Sequence, residues 1–261
     1  KELGSYFEAK EGYAAVLDEY LGRSNPNWRV IPIYGPIYKP GAVLSPGSTE
    51  PLTDDCIVPE DSVIIDPMAS FPRVTASRSF DLGGTIPGSV AKAKDLAISG
   101  GASFGSTAEA VLDYKELSQH AVRRDVFDEN LLSPDCLMAI AGTEVMIVRG
   151  QIVGKETISS TRTLATGANV TVLGDEALTL SYDSSGGFAL EDLEAQPKYF
   201  YVVNRTIEID GVLPNASPTM RRAAIHDFLR SESTTDLDYI DSRPSDDQVE
   251  SLLRATNPDT E

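Results

Sequence analysis

The 261 residues carry 22 lysines and arginines against 40 aspartates and glutamates, a formal net charge of −18. That balance excludes a nucleic-acid binder, which needs a basic footprint to displace counterions. A hydrophobic fraction of 41% and a charged fraction of 24% exclude disorder of the whole chain and fit one main domain with appendages. Apolar runs such as "VMIV" stop far below the roughly 18 residues of a membrane helix, so strands would have to make any contact with a membrane interior.

In chain order, "SYFEAKEGYAAVLDEYLG" sets Tyr13, Val16, Leu17, Tyr20 and Leu21 at helical spacing and predicts an amphipathic helix closed by Gly22. "WRVIPIYGPIYKPGAVL" is extended but broken by Pro32, Pro36 and Pro40, which suits edge strands and turns. Residues 45 to 72, rich in Pro, Ser and Asp, read as connecting structure around one short strand, "SVIID". From residue 73 onward apolar and polar residues alternate with period two in four stretches, the mark of strands with one dry and one wet face. "RVTASRSFDLGGTI" puts Val74, Phe80, Leu82 and Ile86 on one parity, with Arg78 among them. "FGSTAEAVLDYKEL" does the same with Phe104, Ala108, Ala110, Leu112 and Tyr114. "EVMIVRGQIVGKETIS", about 144 to 159, is apolar on both faces early and mixed later. "NVTVLGDEALTLSYD" aligns Val170, Val172, Leu178, Leu180 and Tyr182, and the polar loop "STRTLATGA" joins it to the previous strand as a long hairpin. Between the second and third stretches, "SQHAVRRDVFDENLL" has helical spacing through Val122, Val126, Phe127 and Leu131. "KYFYVVNRTIEID" is a fifth strand, and "SPTMRRAAIHDFLRS" starts a helix with a Ser217 cap and Pro218 at its first position.

The last thirty residues stand apart. Residues 232 to 261 hold nine acidic and two basic residues, a net of −7, leaving −11 for residues 1 to 231. Within them "SDDQVESLLRA" begins with a Ser245–Gln248 capping box and aligns Val249, Leu252 and Leu253 on one face. This reads as a polar linker followed by a short docking helix. Cys56 and Cys136 are far apart and in no metal-like spacing, which reads as two reduced thiols in a cytosolic protein. The sequons at Asn169, Asn204 and Asn215 then carry no meaning.

Gly101-Ala-Ser103-Phe-Gly105 matches the G-x-S-x-G nucleophile elbow, in which a strained strand-to-helix turn presents the serine. "DLAIS" before it and "STAEAVLDY" after it would be that strand and helix, and His226 is the one later histidine available to a triad. The successive strands from 143 to 210 lack the crossover helices of an α/β hydrolase, so the serine-hydrolase reading is an alternative, beside a non-catalytic β-rich binding or scaffold domain. His120 and His226 read as helix-surface or partly buried residues, not metal ligands, and no catalytic, cofactor or metal site is expected.

With this order of elements, the chain resembles the gasdermin pore-forming family in its short bacterial form. The likeness covers roughly residues 25 to 210, from "WRVIPIYGPIYKPGAVL" through "SFDLGGTI" and "FGSTAEAVLDYKEL" to "FDENLLSPDCLMAIAGTEVMIVRGQIVGKETI". It implies an α+β fold, a twisted, mainly antiparallel sheet with packed helices over residues 1–231, and an inhibitory tail over 232–261 held by Val249, Leu252 and Leu253. It also implies a cytoplasmic monomer whose tail an activating protease removes. The chain then binds membrane lipid, assembles as a homo-oligomeric ring in the inner membrane and kills the host cell as an anti-phage response. The pore hairpins would be about 73 to 117 and 144 to 183, with Val74, Phe80, Leu82, Ile86, Phe104, Leu112, Val170, Val172, Leu178 and Leu180 facing lipid and either Arg78 near a membrane boundary or the strand's register broken by a bulge before it. Bonds after Arg230, Asp236, Asp238, Asp241 or Arg243 are the cleavage candidates, while Arg221 with Arg222 or Arg123 with Arg124 would supply a basic patch. The family's lipidated N-terminal cysteine has no counterpart near Lys1.

Overall fold

The computed structural model describes residues 6–34, 37–46, 48, 50–52, 55–56, 58–68, 78–81, 96–99, 109–131, 133–160, 169–172, 178–182, 187–210, 212, 215–231 and 237–256. Among the described residues its α-helices are α1 (Tyr6–Gly22), α2 (Arg124–Leu131), α3 (Pro134–Ile140), α4 (Pro218–Ser231) and α5 (Asp246–Thr256). Its strands are β1 (Arg29–Pro32), β2 (Val43–Leu44), β3 (Val63–Pro67), β4 (Arg78–Asp81), β5 (Leu96–Ser99), β6 (Glu109–Val122), β7 (Glu144–Ser160), β8 (Asn169–Val172), β9 (Leu178–Tyr182), β10 (Phe188–Asp192), β11 (Gln196–Ile209) and β12 (Leu237–Ser242). The α+β class expected from the sequence is the one observed.

Two long strands, β7 and β11, make the spine of a ten-stranded sheet among the described residues. Both are apolar on both faces, which a strand tolerates only when it is covered on both sides. Among the described residues every strand pair is antiparallel, and β7 carries β11 and then β10 along one edge and β2 and then β6 along the other. β6 in turn carries β3 at one end and β4 at the other, and β9 pairs with β10. A bulge interrupts the β6–β7 ladder between Lys115 and Ser118, with Glu116 in the left-handed region at φ 54°. Gly154 lies opposite, where a Cβ would come within 2.7 Å of the Leu117 side chain, so the bulge needs a glycine there.

One sheet face packs against α1 through Tyr13, Leu17, Leu112, Tyr114, Ile152 and Tyr199, and farther along against α2, α3 and α4 through Phe127, Leu137, Ile147, Val203, Ile207 and Ile225. The inward parity of β6, Ala110, Leu112 and Tyr114, is the one read from the alternation. On the opposite face Ile31, Leu44, Met146, Val148, Phe200 and Val202 meet α5.

Three local expectations are corrected. "SQHAV" continues β6 instead of starting a helix, because Gln119 and His120 pair with Ile152 and Gln151 while β3 closes the other edge, and ladder bonds on both sides outweigh helical spacing. The long hairpin expected between the third and fourth stretches does not form as drawn: β7 pairs with β10, while the fourth stretch is divided into β8, which pairs with β5, and β9, which pairs with β10. Leu-Gly-Asp-Glu, rich in turn formers, lies between those two pieces in the sequence. Finally, Cys56 and Cys136 are joined as a disulfide with Cα atoms 4.9 Å apart, not two reduced thiols. Their separation of 80 residues hides a proximity created only when α3 packs on the segment before β3.

Candidate functional site

The C-terminal segment 237–256 grips the body in two ways. β12 pairs with β11 over Asn204–Ile209, end to end with β1, whose Arg29–Pro32 pairs with Tyr199–Val202 of β11. Together the two short strands close the outer edge of β11. The chain then passes through Arg243, Pro244 and Ser245 into α5, which crosses to the face opposite α1 and buries Val249 and Leu252, with Leu253 packed beside them. Their neighbours are Ile31, Tyr38, Leu44, Met146, Val148, Phe200 and Val202. Burial of Val249 and Leu252 is worth about 1.5–3 kcal/mol each, as an upper bound.

The capping box read from the sequence is formed: the Gln248 backbone N–H donates to Ser245 Oγ at 3.2 Å and the Ser245 N–H donates to Gln248 Oε1 at 2.9 Å. Gln248 also ties the helix to the sheet, accepting from Asn204 Nδ2 at 2.8 Å and donating to Glu144 at 3.2 Å. Ion pairs add to the grip. Arg205, buried on β11, makes a bidentate pair with Asp241 at 2.6 and 2.9 Å and reaches Asp128 of α2 at 2.9 Å. Burial alone would pull the Arg205 guanidinium down, but the bonds to Asp241 and Asp128 hold it above its ordinary value. Arg29 of β1 meets Asp246 at 2.5 Å and donates to the Pro244 carbonyl at 3.3 Å, and Arg243 pairs with Asp18 of α1 and with the Trp28 carbonyl. A cleft of about 510 Å3 remains between α1, β1 and α5, lined by Ala14, Asp18, Val30, Asp246, Val249 and Leu253 among others.

A second polar cluster lies between α1 and the sheet. Lys10 is 5% exposed, 3.7 Å from Glu156 Oε2, donates to the Ile33 carbonyl at 3.2 Å, and faces the rings of Tyr6, Tyr34 and Tyr199 at 5.3–5.9 Å. Glu156 accepts from the hydroxyls of Tyr6 at 2.7 Å and Tyr114 at 2.8 Å. Burial pulls Lys10 below the ordinary lysine value, and the Glu156 charge opposes that shift. Burial pushes Tyr6, Tyr13, Tyr34 and Tyr199 up.

Of the residues singled out in the sequence, Val249, Leu252 and Leu253 come together on one apolar patch. The linker reading of 232–244 is corrected at its second half, since Leu237–Ser242 is a strand whose Thr206–Ile240 and Glu208–Asp238 pairs satisfy the β11 edge. Asp238 and Asp241 therefore lie in a ladder, Arg243 in an ion pair and Arg230 at the end of α4. A protease needs an extended, accessible backbone, so the Asp238 and Asp241 bonds are poor targets while β12 is paired. Asp236 lies outside the described residues. So do Ser103, Val74, Leu82, Ile86 and Phe104. Phe80 is in β4, Val170 and Val172 in β8, and Leu178 and Leu180 in β9, while Leu112 is wholly buried on the α1 side.

The strand–elbow–helix context of the serine-hydrolase reading is corrected: "DLAIS" contributes a strand, but the chain beyond Ser103 enters β6 at Glu109, not a helix, because Glu109–Leu112 pairs with β4. His226 is exposed on α4. Arg78 turns toward α1, where Gly12 has no side chain; the guanidinium lies 3.6 Å from the position of a Gly12 Cβ and donates to the Gly12 carbonyl at 3.2 Å. Of the basic pairs, Arg123 is matched by Asp125, Arg124 by Asp128, and Arg221 donates to the Ala141 carbonyl at 2.6 Å.

Sequence reasoning missed Arg29, Arg205 and the Lys10–Glu156 pair. Lys10 did carry a signal, since positions 6, 9, 10, 13, 14, 17 and 21 form the stripe that α1 buries. Arg205 carried one too, as a basic residue directly after the apolar run Tyr199–Val203 and Asn204 of a central strand.

No protein-family model matches the chain, and no curated protein does. Among solved structures, a bacterial gasdermin from Bradyrhizobium tropiciagri is similar, with a TM-score of 0.37 and 14% identity over 67% of this chain and 80% of that one. Among the described residues no helix is long and apolar enough to cross a membrane, which leaves strands aside.

Proposed function

We propose that this chain is an autoinhibited, gasdermin-like pore former in which residues 237–256 are the inhibitory element and cutting ahead of them starts membrane insertion and ring assembly. The observation that carries the reading is the double grip: one twenty-residue segment closes the edge of β11 and covers the apolar patch of Ile31, Val148, Phe200 and Val202. Loss of that segment uncovers a strand edge and an apolar face together, the two features that drive pairing with another chain and partition into lipid.

The distribution of the strands supports the same reading. β6 and β7 run 14 and 17 residues, longer than the 9–11 a spanning strand needs. The segments expected to form the pore, 73 to 117 and 144 to 183, contribute β5 and β8, which pair with each other outside the ten-stranded sheet. Two hairpins cannot cross a bilayer with open edges, so insertion requires a closed ring of many copies. An activating protease, membrane lipid and further copies of the chain are the partners this function demands, and the host cell dies of the leak.

The test is dye release from lipid vesicles by the intact chain and by a variant carrying a unique protease site within 232–236. Release on cutting, and none before, is expected. Silence of the cut protein across anionic, zwitterionic and mixed vesicles would sink the proposal.

A further inference from the structure

Among the described residues β3 has a partner strand on one side only, and neither a charge nor a proline stands at its centre. It pairs with β6 on one side, and Ile64 and Ile65 are 43% and 61% exposed. Its hydrogen-bonding parity is fixed by its flanks: the Arg123 N–H donates to the Ser62 carbonyl at 3.2 Å and the Met68 N–H to the Leu117 carbonyl at 2.9 Å. Even-numbered residues thus bond to β6, and alternation along an antiparallel ladder turns the backbone groups of Val63, Ile65 and Pro67 outward. An open edge with exposed isoleucines is a template for another strand.

The composition of the edge selects its occupant. Placed antiparallel to itself about Ile65, β3 sets Ile65 opposite Ile65 of the second copy and Val63 opposite Pro67 of the second copy. All the odd positions are apolar, so one face of the seam is a continuous strip of six apolar side chains. Asp66 falls opposite Ile64, not opposite the other Asp66, so like charges are not juxtaposed. The missing N–H of Pro67 removes two of six ladder bonds and leaves four: Ile65 N–H to the Ile65 carbonyl and Val63 N–H to the Pro67 carbonyl, each made twice. No other register uses all five residues and keeps the two-fold symmetry that closes a homodimer.

We infer that β3 is the seam of a two-fold symmetric dimer of the intact chain, in which β3 of each copy pairs antiparallel with the other about Ile65. The dimer does not depend on the pore-forming reading, because it uses the edge of the sheet remote from β12. A five-residue edge makes a small interface, and two chains of net charge −18 repel, so association is weak and strengthens with salt.

Sedimentation equilibrium of the full chain from roughly 10 to roughly 500 μM, the range that suits an interface below about 1,200 Å2, should show a monomer–dimer equilibrium that tightens between about 0.05 and about 0.5 M salt. Ile65→Lys should weaken it at least tenfold, with circular dichroism confirming an unchanged fold. Both native cysteines are in a disulfide, so Ile65→Cys introduces a lone thiol. Across this seam the two Cα atoms would be about 5.5 Å apart, within disulfide reach. Mild oxidation should therefore yield covalent dimer at least tenfold faster than for Met220→Cys, a thiol at a 64% exposed position. Equal crosslinking rates, an equilibrium indifferent to Ile65→Lys, or growth past the dimer into open chains would each overturn the assignment.

Discussion

Glu156→Gln keeps the size of a buried side chain and removes the negative charge that faces Lys10. In the native protein the Lys10 ammonium, 5% exposed, has a carboxylate at 3.7 Å, one carbonyl at 3.2 Å and three ring faces within 6 Å. Breaking such a buried pair costs about 3–5 kcal/mol. The carbonyl and the rings stay, so the lower end, about 3 kcal/mol, is expected, a fall of roughly 5–10 °C in Tm. The pH dependence gives the sharper signature. Burial already holds Lys10 below the ordinary lysine value of 10.5, and without Glu156 it falls further. A lysine depressed in the folded state binds fewer protons there than in the unfolded chain, so the variant gains stability as pH rises toward 10.5. Urea unfolding from pH 7 to 9.5, followed through the single tryptophan, Trp28, stacked on Tyr201 at 4.9 Å, reads this directly. Lys10→Met/Glu156→Gln removes both charges and should recover most of the loss. A Glu156→Gln cost under about 1 kcal/mol with no pH slope would show that the cluster is solvated and that this account of how α1 is held is wrong.

Gly150→Ala would place a methyl 2.0 Å from the Tyr201 hydroxyl and 2.4 Å from the His120 carbonyl. It should cost about 3 kcal/mol or more by denaturant midpoint, while Gly22→Ala, with no atom within 4 Å, should be near neutral. Reducing the Cys56–Cys136 disulfide, which closes a loop across a separation of 80 residues, should lower stability by about 4 kcal/mol. An unchanged urea midpoint in reductant would refute that. Six tyrosines raised by burial, Tyr6, Tyr13, Tyr34, Tyr114, Tyr199 and Tyr201, hold their protons to higher pH in the folded state than unfolded tyrosine, which loses its proton near pH 10. Their stabilisation is complete below pH 10 and is lost above it, at a limiting slope of roughly 8 kcal/mol per pH unit, which alkaline titration of the unfolding free energy measures.

Periodicity carried much of the fold. α1, β6, β7, β11, α4 and α5 were legible because each has one dominant pattern: a helical stripe, a two-residue alternation or an unbroken apolar run. What failed depended on partners distant in the chain. Gln119 and His120 have helical neighbours in sequence but strand neighbours in space, and β12 is short and acidic, becoming a strand because Asn204–Ile209 offers it an edge. The disulfide was invisible for the same reason. In the candidate site the apolar contacts of Val249, Leu252 and Leu253 were readable from one face of α5, as was its capping box. The arginines that hold the tail were not, since Arg29 and Arg205 gain their roles only when Asp246 and Asp241 are brought beside them.

The central claim is that the C-terminal segment alone restrains a membrane-active body. Vesicle dye release by protein cut within 232–236 and freed of its tail, with a synthetic peptide of residues 237–256 then added back, tests it most directly. The account predicts leakage from the tail-free protein, suppression by the peptide, and no suppression by the same peptide carrying Leu252→Glu, which cannot enter the Ile31–Phe200–Val202 patch. Leakage by the intact chain equal to that of the tail-free protein, or no leakage from either, would contradict it.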